Sequence, residues 1–345
     1  MSAQTIRIGI VGAGANVRER HAPGFKAIAG VELAAVCNST RESGERAAAE
    51  LGISRVHDTW LELVEDDEVD AVCIGTWPNL HCPVTLAALE RDKHVLTEAR
   101  MALDADEART MLEVSRAVPH LVAQVVPAPH TLDFDRTVRE LIAEGYLGDL
   151  LAINVQISQG TFVDAESPLH WRQDRELSGY NALTLGIWYE SLLRWVGPAT
   201  RVLAMTRVVV NRRKDAGGAL RAVSVPDHMD VLCDMACGAQ AHLQVSAVTG
   251  LSGGGVWLHG SDGTLFLDTA ANVLRGGRRG DAQLKELDIP SERRGRWRVE
   301  EEFINAIRGI ERVTHTTFED GVKYMEFTEA VARSAQSGEA YSLPL

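Results

Sequence analysis

Between Thr5 and Val126 the chain alternates short apolar runs with connections of helix length, and this alternation constrains the fold more than any other feature of the sequence. The run TIRIGIV (5–11) is β-branched and ends in glycines, as a strand buried on both faces does. VELAAVC (31–37), DAVCIGT (70–76), KHVLT (93–97) and HLVAQVV (120–126) repeat the type. Between them lie ANVRERHAPGFKAIAG, a helix ending in AAAELGI, HCPVTLAALERD and DADEARTMLEVSRA. Strands joined by helices of this length run parallel, because a hairpin cannot link parallel neighbours. An α/β, doubly wound parallel sheet is predicted for residues 1–125.

The texture then changes. After a helix at TLDFDRTVRELIAEG and a turn at Leu147-Gly148-Asp149 come the strand LAINVQIS, a helix in ALTLGIWYESLLRWVG, and closely spaced runs: RVLAMTRVVVN, DVLCDMAC, AQAHLQVSAV, GVWLHGS and GTLFLD. Short spacing favours an open, mostly antiparallel sheet with helices packed on it. A second α/β domain is therefore predicted over 126–345, closed by helices near 298–308 and 319–335. With 345 residues, 45% of them hydrophobic, the chain is long enough for two cores.

Charge and cysteine usage narrow the partners. A net charge of −13 repels a phosphate backbone, so nucleic acid is not expected as a partner. The arginine-rich stretch 276–298 reads as a solvated hairpin and connector, or else as an anion or subunit contact. No run has the length of a membrane span, the start lacks a signal-peptide pattern, and five cysteines make an odd number suited to reduced thiols. A cytoplasmic protein is expected. Cys233 and Cys237 have no metal-ligand spacing, and Asp227-His228-Met229-Asp230 reads as a turn, so no metal is predicted.

The turn after the first strand carries Gly12-Ala13-Gly14-Ala15-Asn16-Val17. Glycines at that position let backbone N–H groups approach a pyrophosphate at a helix N-terminus, although Val17 replaces the third glycine of the usual fingerprint. The second strand ends in Cys37-Asn38-Ser39-Thr40-Arg41, with no carboxylate to hold a ribose 2′-hydroxyl. That favours NADP slightly over NAD, while the same Ser and Thr equally suit a cap for the following helix.

In order and spacing, Gly12-Ala13-Gly14, Thr76-Trp77-Pro78-Asn79-Leu80-His81, HVLTEA (94–99), EGYLGDLLAINV (144–155), His170-Trp171-Arg172 and SGYNALTLGIWYESLLRWVG (178–197) resemble the Gfo/Idh/MocA oxidoreductases over essentially the whole chain. The resemblance implies a Rossmann domain followed by an open-sheet α/β domain, NAD(P)-dependent hydride transfer on a sugar-like or cyclic polyol, and a homodimer or homotetramer. It assigns Gly12, Gly14, Ala15 and Asn16 to the pyrophosphate, Asn38, Ser39, Thr40 and Arg41 to the adenosine ribose, and Thr76, Trp77, Asn79 and His81 to the wall beside it. It places Glu98 by the nicotinamide ribose, and Trp171 with Arg172 near the cofactor.

Departures from the family pattern are concentrated at the chemistry. Ala99-Arg100 stands where the family has Lys-Pro, and Thr184, Trp188 and Ser191 stand where its second-domain helix has Asp, His and Asp. QVVPAPH (124–130) replaces an Asn-Arg. The groups then left around the predicted pocket are His170, Tyr180, Tyr189, Glu190, Glu98, Arg100 and Arg172, of which Tyr189, Arg172, His170, Arg100 and Tyr180 are taken for acid/base or anchoring roles. Two tyrosines would need a neighbouring cation to lower a pKa of about 10. Each has a structural alternative: Tyr189 as core, Glu190 facing solvent, His170 as a loop residue. Three functions compete: a dehydrogenase or reductase with a rearranged acid/base set, a redox-neutral enzyme that retains its nucleotide (a lyase, epimerase or glycosidase), and a non-catalytic nucleotide or sugar sensor.

Overall fold

The structure, a computed structural model, describes residues 5–345, which divide into two compact units. The first comprises the chain up to Pro127 together with 298–322; the second comprises 128–297 and 323–345. The sequence boundary at 125 lies two residues from the observed break, but the assignment of everything beyond it to the second domain misses the return of 298–322 to the first unit.

The first unit is a parallel sheet of order β3-β2-β1-β4-β5-β6, formed by β1 (Ile6–Val11), β2 (Val31–Cys37), β3 (Arg55–Val56), β4 (Ala71–Ile74), β5 (His94–Thr97) and β6 (Ala123–Val125). Its helices begin where the sequence supplies caps. Thr40 Oγ1 accepts the Ser43 N–H at α2 (Arg41–Leu51), Thr59 Oγ1 accepts Glu62 N–H at α3 (Trp60–Glu65), and Asp104 Oδ1 accepts Glu107 N–H at α5 (Ala105–Ala117). The short elements β3 and α3 are absent from the sequence reading, since two residues of strand carry no periodicity. Val11, Leu63, Val72, Ile74, Val84 and Val95 pack into the core between sheet and helices, with α4 (His81–Glu90) on that side.

The return segment closes this unit. Phe303 of α9 (Val299–Ile307) packs edge-on against Phe25 of α1 (Ala22–Lys26), with ring centroids 6.4 Å apart. Thr316 exchanges backbone hydrogen bonds with Val125 at 3.0 and 3.1 Å, so the edge of β6 is covered rather than left as a template for another strand.

The second unit holds a sheet of order β16-β15-β14-β13-β7-β12-β11-β8-β17. Its long strands are β7 (Leu150–Gly160), β8 (Ala199–Arg207), β11 (His228–Met235) and β12 (Gln240–Gly250), followed by β13 (Gly255–Gly260), β14 (Gly263–Asp268) and β15 (Val273–Arg278). Short strands β16 (Lys285–Glu286) and β17 (Tyr341–Ser342) form the edges, and β9 (Arg212–Lys214) pairs with β10 (Leu220–Ala222) apart from the sheet. Only β7 and β12 pair in parallel among these neighbours. His228 through Asp230 begin β11 instead of forming the expected turn, because they pair with both β8 and β12, and Asp227 alone lies just before the strand, its carboxylate accepting the Val209 and Val210 N–H groups.

Two further helices, α6 (Leu132–Ala143) and α8 (Leu185–Val196), are joined by buried polar contacts. Trp195 Nε1 donates to Asp135 at 2.6 Å, and Arg194 reaches both Asp135 (3.0 Å) and Glu190 (2.6 Å). Glu190, expected to face solvent, is buried and also accepts the Ala128 N–H. Tyr189 is likewise core: its ring stacks on Phe327 of α10 (Phe318–Ser337) at 3.6 Å and its hydroxyl accepts the Ala199 N–H at 2.9 Å. Burial raises its pKa further above the ordinary tyrosine value, which removes it from the acid/base candidates.

Candidate functional site

In the first unit, β1 ends at Gly12, whose φ of 85° and whose N–H donation to the Cys37 carbonyl bend the chain sharply out of the sheet. A side chain there would collide with Thr76, whose Cγ2 lies 2.7 Å and whose nitrogen lies 2.9 Å from an ideal Cβ. Gly14 differs, since its Cβ would meet only the Gly75 carbonyl oxygen, at 3.4 Å, leaving the outer face of the loop open. A π-helical turn, Val17–His21, then leads into α1.

The missing third glycine has a structural answer. Val17 is buried, and a Cβ on Gly75 at the end of β4 would lie 2.3 Å from its Cγ2. The close helix-to-strand approach that a third glycine usually allows is provided here by a glycine on the facing strand. The loop is tied to the end of β2 by Asn38, whose Oδ1 accepts the Ala13 N–H at 2.8 Å and whose Nδ2 donates to the Ser43 carbonyl. Ser39 is exposed, Thr40 caps α2, and Arg41 is paired with Glu45 and Asp58 at 3.0 Å each.

On the other side of the loop, Thr76 and an exposed Trp77 precede a 3-10 turn, Pro78–Leu80. His81 is buried with Nε2 3.0 Å from the Thr76 carbonyl and Nδ1 2.9 Å from that of Arg100, and burial keeps its pKa low. It is a structural tie between the ends of β4 and β5. The residues present fit a dinucleotide: Gly14 and Ala15 are exposed, the first helical turn faces the crevice where the strand order reverses, and the buried Asn79 Oδ1 has no hydrogen-bond partner among the described residues.

Glu98 follows β5 at the same edge. Its Oε1 accepts from Asn16 Nδ2 and lies 3.0 Å from His21 Nε2, and its Oε2 accepts the Ala99 N–H at 3.2 Å. Burial would push this carboxyl up, but the contacts with His21 and Asn16 outweigh it and hold it below the usual carboxylate range.

The second unit contains a cavity of about 550 Å³, a volume suited to a small organic ligand. Its polar lining includes His130, Asp133, Thr184, Ser246 and Asn272, and its wall is Trp188. The imidazole of His130 stacks on the Trp188 indole with ring centroids 5.3 Å apart and an interplanar angle of 10°. Leu183, also on the wall, holds a left-handed φ of 48°, a conformation costing a branched residue about 1–2 kcal/mol.

Family models for the Gfo/Idh/MocA oxidoreductases match both parts of the chain: the oxidoreductase family with an NAD-binding Rossmann fold over residues 6–124, and the family's C-terminal domain over 136–266. The chain belongs to the Gfo/Idh/MocA family. A 1,5-anhydro-D-fructose reductase of Ensifer adhaerens is 28% identical, with 97% of each chain aligned. An uncharacterized oxidoreductase, ORF334, of Rhizobium meliloti is 27% identical over 58% of this chain and 59% of its own length. The solved structure of a levoglucosan dehydrogenase in complex with NADH and L-sorbose superposes with a TM-score of 0.86 at 20% identity, covering 99% of both chains, which shows the shared fold.

The groups expected to stand in for the family's lost lysine and histidine are divided between the two units. Arg100 is buried in the first unit. Exposed His170 caps a 3-10 turn, Trp171–Gln173, that carries exposed Arg172; His170 Nδ1 accepts the Arg172 N–H and the Arg172 guanidinium lies 4.2 Å above the Trp171 ring. His170 is thus a cap, its pKa lowered by partial burial and then by Arg172. Tyr180 lies under the Arg175 guanidinium and lines a different, smaller cavity of about 80 Å³. None of the five lines the larger cavity. His130 does, and sequence reasoning passed over it because only its position at the end of QVVPAPH, where the family carries Asn-Arg, marked it.

Proposed function

We propose that the chain is an NAD(P)-dependent dehydrogenase or reductase of a sugar-like or cyclic polyol, with the second-unit cavity as substrate site and His130 as its acid/base group. The stacking of His130 on Trp188 carries this reading. Trp188 replaces the helix histidine of the family, and the imidazole laid against it belongs to a different segment, so an ionisable group is returned to the wall from which one was lost. Histidine is suited to the role because its pKa lies near neutral pH.

When bound, the nicotinamide supplies the hydride acceptor or donor. The chain's own residues do the rest: Asp133, Thr184, Ser246 and Asn272 offer hydrogen bonds to ligand hydroxyls, Trp188 offers an apolar face for a sugar ring, and His130 takes or returns the hydroxyl proton. The substrate class is supported by the relatives, one of which acts on an anhydro-sugar by name. NADP is slightly favoured over NAD by the absence of a carboxylate in 37–41, and a 2′-phosphate would compete with Glu45 and Asp58 for Arg41.

Steady-state assays with a panel of inositols, hexoses and anhydro-sugars, with both cofactors, test this. Turnover of at least one substrate is expected, faster with NADP(H). His130→Gln should lower kcat by a factor of about 10² or more. Activity unchanged in that variant would remove His130, and a nucleotide retained through turnover without net redox would favour a lyase or epimerase instead.

A cytoplasmic location is supported by the cysteines, four of which are buried, and by the absence of any helix among the described residues that is long and apolar enough to cross a membrane. A homodimer or homotetramer is supported by Leu203, Met205 and Leu232, exposed apolar neighbours on β8 and β11. Sedimentation equilibrium should give a mass at least twice that of the 37.6 kDa chain; a monomer at micromolar concentration would refute it.

A further inference from the structure

Behind the glycine loop of the first unit lies a charged cluster that joins Glu98 and Asn16 to two residues no sequence motif singles out, His21 and Glu300. Its centre is His21, whose side chain has no exposed surface. Nδ1 lies 2.5 Å from Glu300 Oε1 on α9, and Nε2 lies 3.0 Å from Glu98 Oε1 at the end of β5. Asn16, one turn earlier, donates to that same Glu98 oxygen. The return helix is pressed close: an ideal Cβ on Gly24 would lie 2.7 Å from Glu300 Oε2, so the glycine makes room for the carboxylate.

A neutral imidazole has one N–H and satisfies one carboxylate. Two ring nitrogens facing two carboxylate oxygens are satisfied together only by the doubly protonated cation. The cation also separates a buried carboxylate, Glu300, from a partly buried one, Glu98, which would otherwise repel each other and be costly to desolvate. Burial by itself lowers the imidazole pKa, but the hydrogen bonds that the ring donates to Glu300 and Glu98 outweigh it and raise the value to about 9. The other titratable groups coupled to the cluster are His81 of α4 and Cys73 of β4, both buried; burial disfavours the charged form of each, so neither competes as the cation.

We propose that His21 is a positioning residue of the dinucleotide site: clamped between Glu98 and Glu300, it fixes the Glu98 carboxylate at the crevice to accept hydrogen bonds from the cofactor's ribose hydroxyls, and it makes the return helix α9 part of that site. The proposal rests on the reading that the crevice at the ends of β1, β4 and β5 holds NAD(P).

The test combines spectroscopy of the wild-type protein with fluorescence titration by NADPH and NADH of wild type, His21→Gln and His21→Gln/Glu300→Gln. In wild type, ¹⁵N NMR should find both His21 nitrogens protonated at pH 7.5, and affinity should fall as pH rises through about 9. His21→Gln should bind both cofactors at least tenfold more weakly and without that pH dependence. Adding Glu300→Gln should restore part of the thermal stability lost in the single variant, by removing the charge of a buried carboxylate that has lost its His21 contact, without restoring affinity. A single-tautomer, neutral His21 in wild type overturns the proposal even where the variants fail to fold. So does wild-type affinity in either variant. Failure of the wild type to bind either cofactor defeats the dinucleotide reading and this proposal with it, an outcome distinct from binding that is indifferent to residue 21.

Discussion

Some residues here are fixed by the turn in which they sit, and others by partners far along the chain. Gly12 is a glycine because its backbone sits at a φ of 85° against Thr76, and Thr40 caps the helix that follows it; both reasons lie within the turn itself. His21 and His130 were not legible, because their roles depend on Glu300 and Trp188, residues 279 and 58 positions away (300 − 21; 188 − 130). Tyr189 shows the opposite error: a polar side chain near an anticipated site is part of the core. Its hydroxyl accepts the buried Ala199 N–H, so Tyr189→Phe leaves that donor unmatched and should cost about 1–3 kcal/mol in urea unfolding, with kcat unchanged. A large fall in kcat at full stability would return Tyr189 to the chemistry.

At the level of elements, the parallel strands of the first unit were readable because each is a continuous apolar run between glycine or helix signals. Two-residue β3 and the three-residue β6 lie at the limit of what periodicity can carry. The arginine-rich stretch does form the expected hairpin, β15 with β16, followed by a connector. The role of α9 was hidden, because an amphipathic helix near the C-terminus does not announce which sheet it covers. Its anchor is Glu302, nearly buried, which accepts from Gln124 Nε2 (3.0 Å) and from the backbone N–H groups of Thr314 (3.1 Å) and His315 (3.2 Å). Burial pushes this carboxyl up, but His315 and Thr314 outweigh it and lower its pKa in the folded state. A lowered folded pKa contributes stability above the unfolded value of about 4.3, and that contribution disappears as pH falls through the folded value. Glu302→Gln should therefore cost about 1–3 kcal/mol at pH 7, with the difference from wild type shrinking below pH 4; thermal melts across pH 3–7 check this. An equal deficit throughout would mean the charge contributes nothing.

For the whole molecule, the order of the two domains was readable from the change in strand spacing, but the path of the chain was not, since 298–322 leaves the second unit and returns to the first. A Rossmann domain is often regarded as autonomous, which would make residues 1–127 sufficient to fold and bind. The contacts here argue otherwise. Without the return segment, Phe25 loses Phe303, His21 loses Glu300, Gln124 loses Glu302, and the edge of β6 loses its backbone partner at Thr316. Removing one large aromatic partner from a core typically costs about 3–5 kcal/mol, and a domain has only about 5–15 kcal/mol of net stability, so these losses together should leave the fragment unfolded or molten. Residues 1–127 expressed alone should show exposed apolar surface by dye binding, no cooperative melt and no NADPH affinity. The same fragment joined through a flexible glycine-serine linker to 298–322 should melt cooperatively and gain stability on adding NADPH, by roughly 2.7 kcal/mol at a hundredfold excess over Kd. A cooperative melt and undiminished NADPH binding by 1–127 alone would show that the return segment decorates a complete domain instead of completing it.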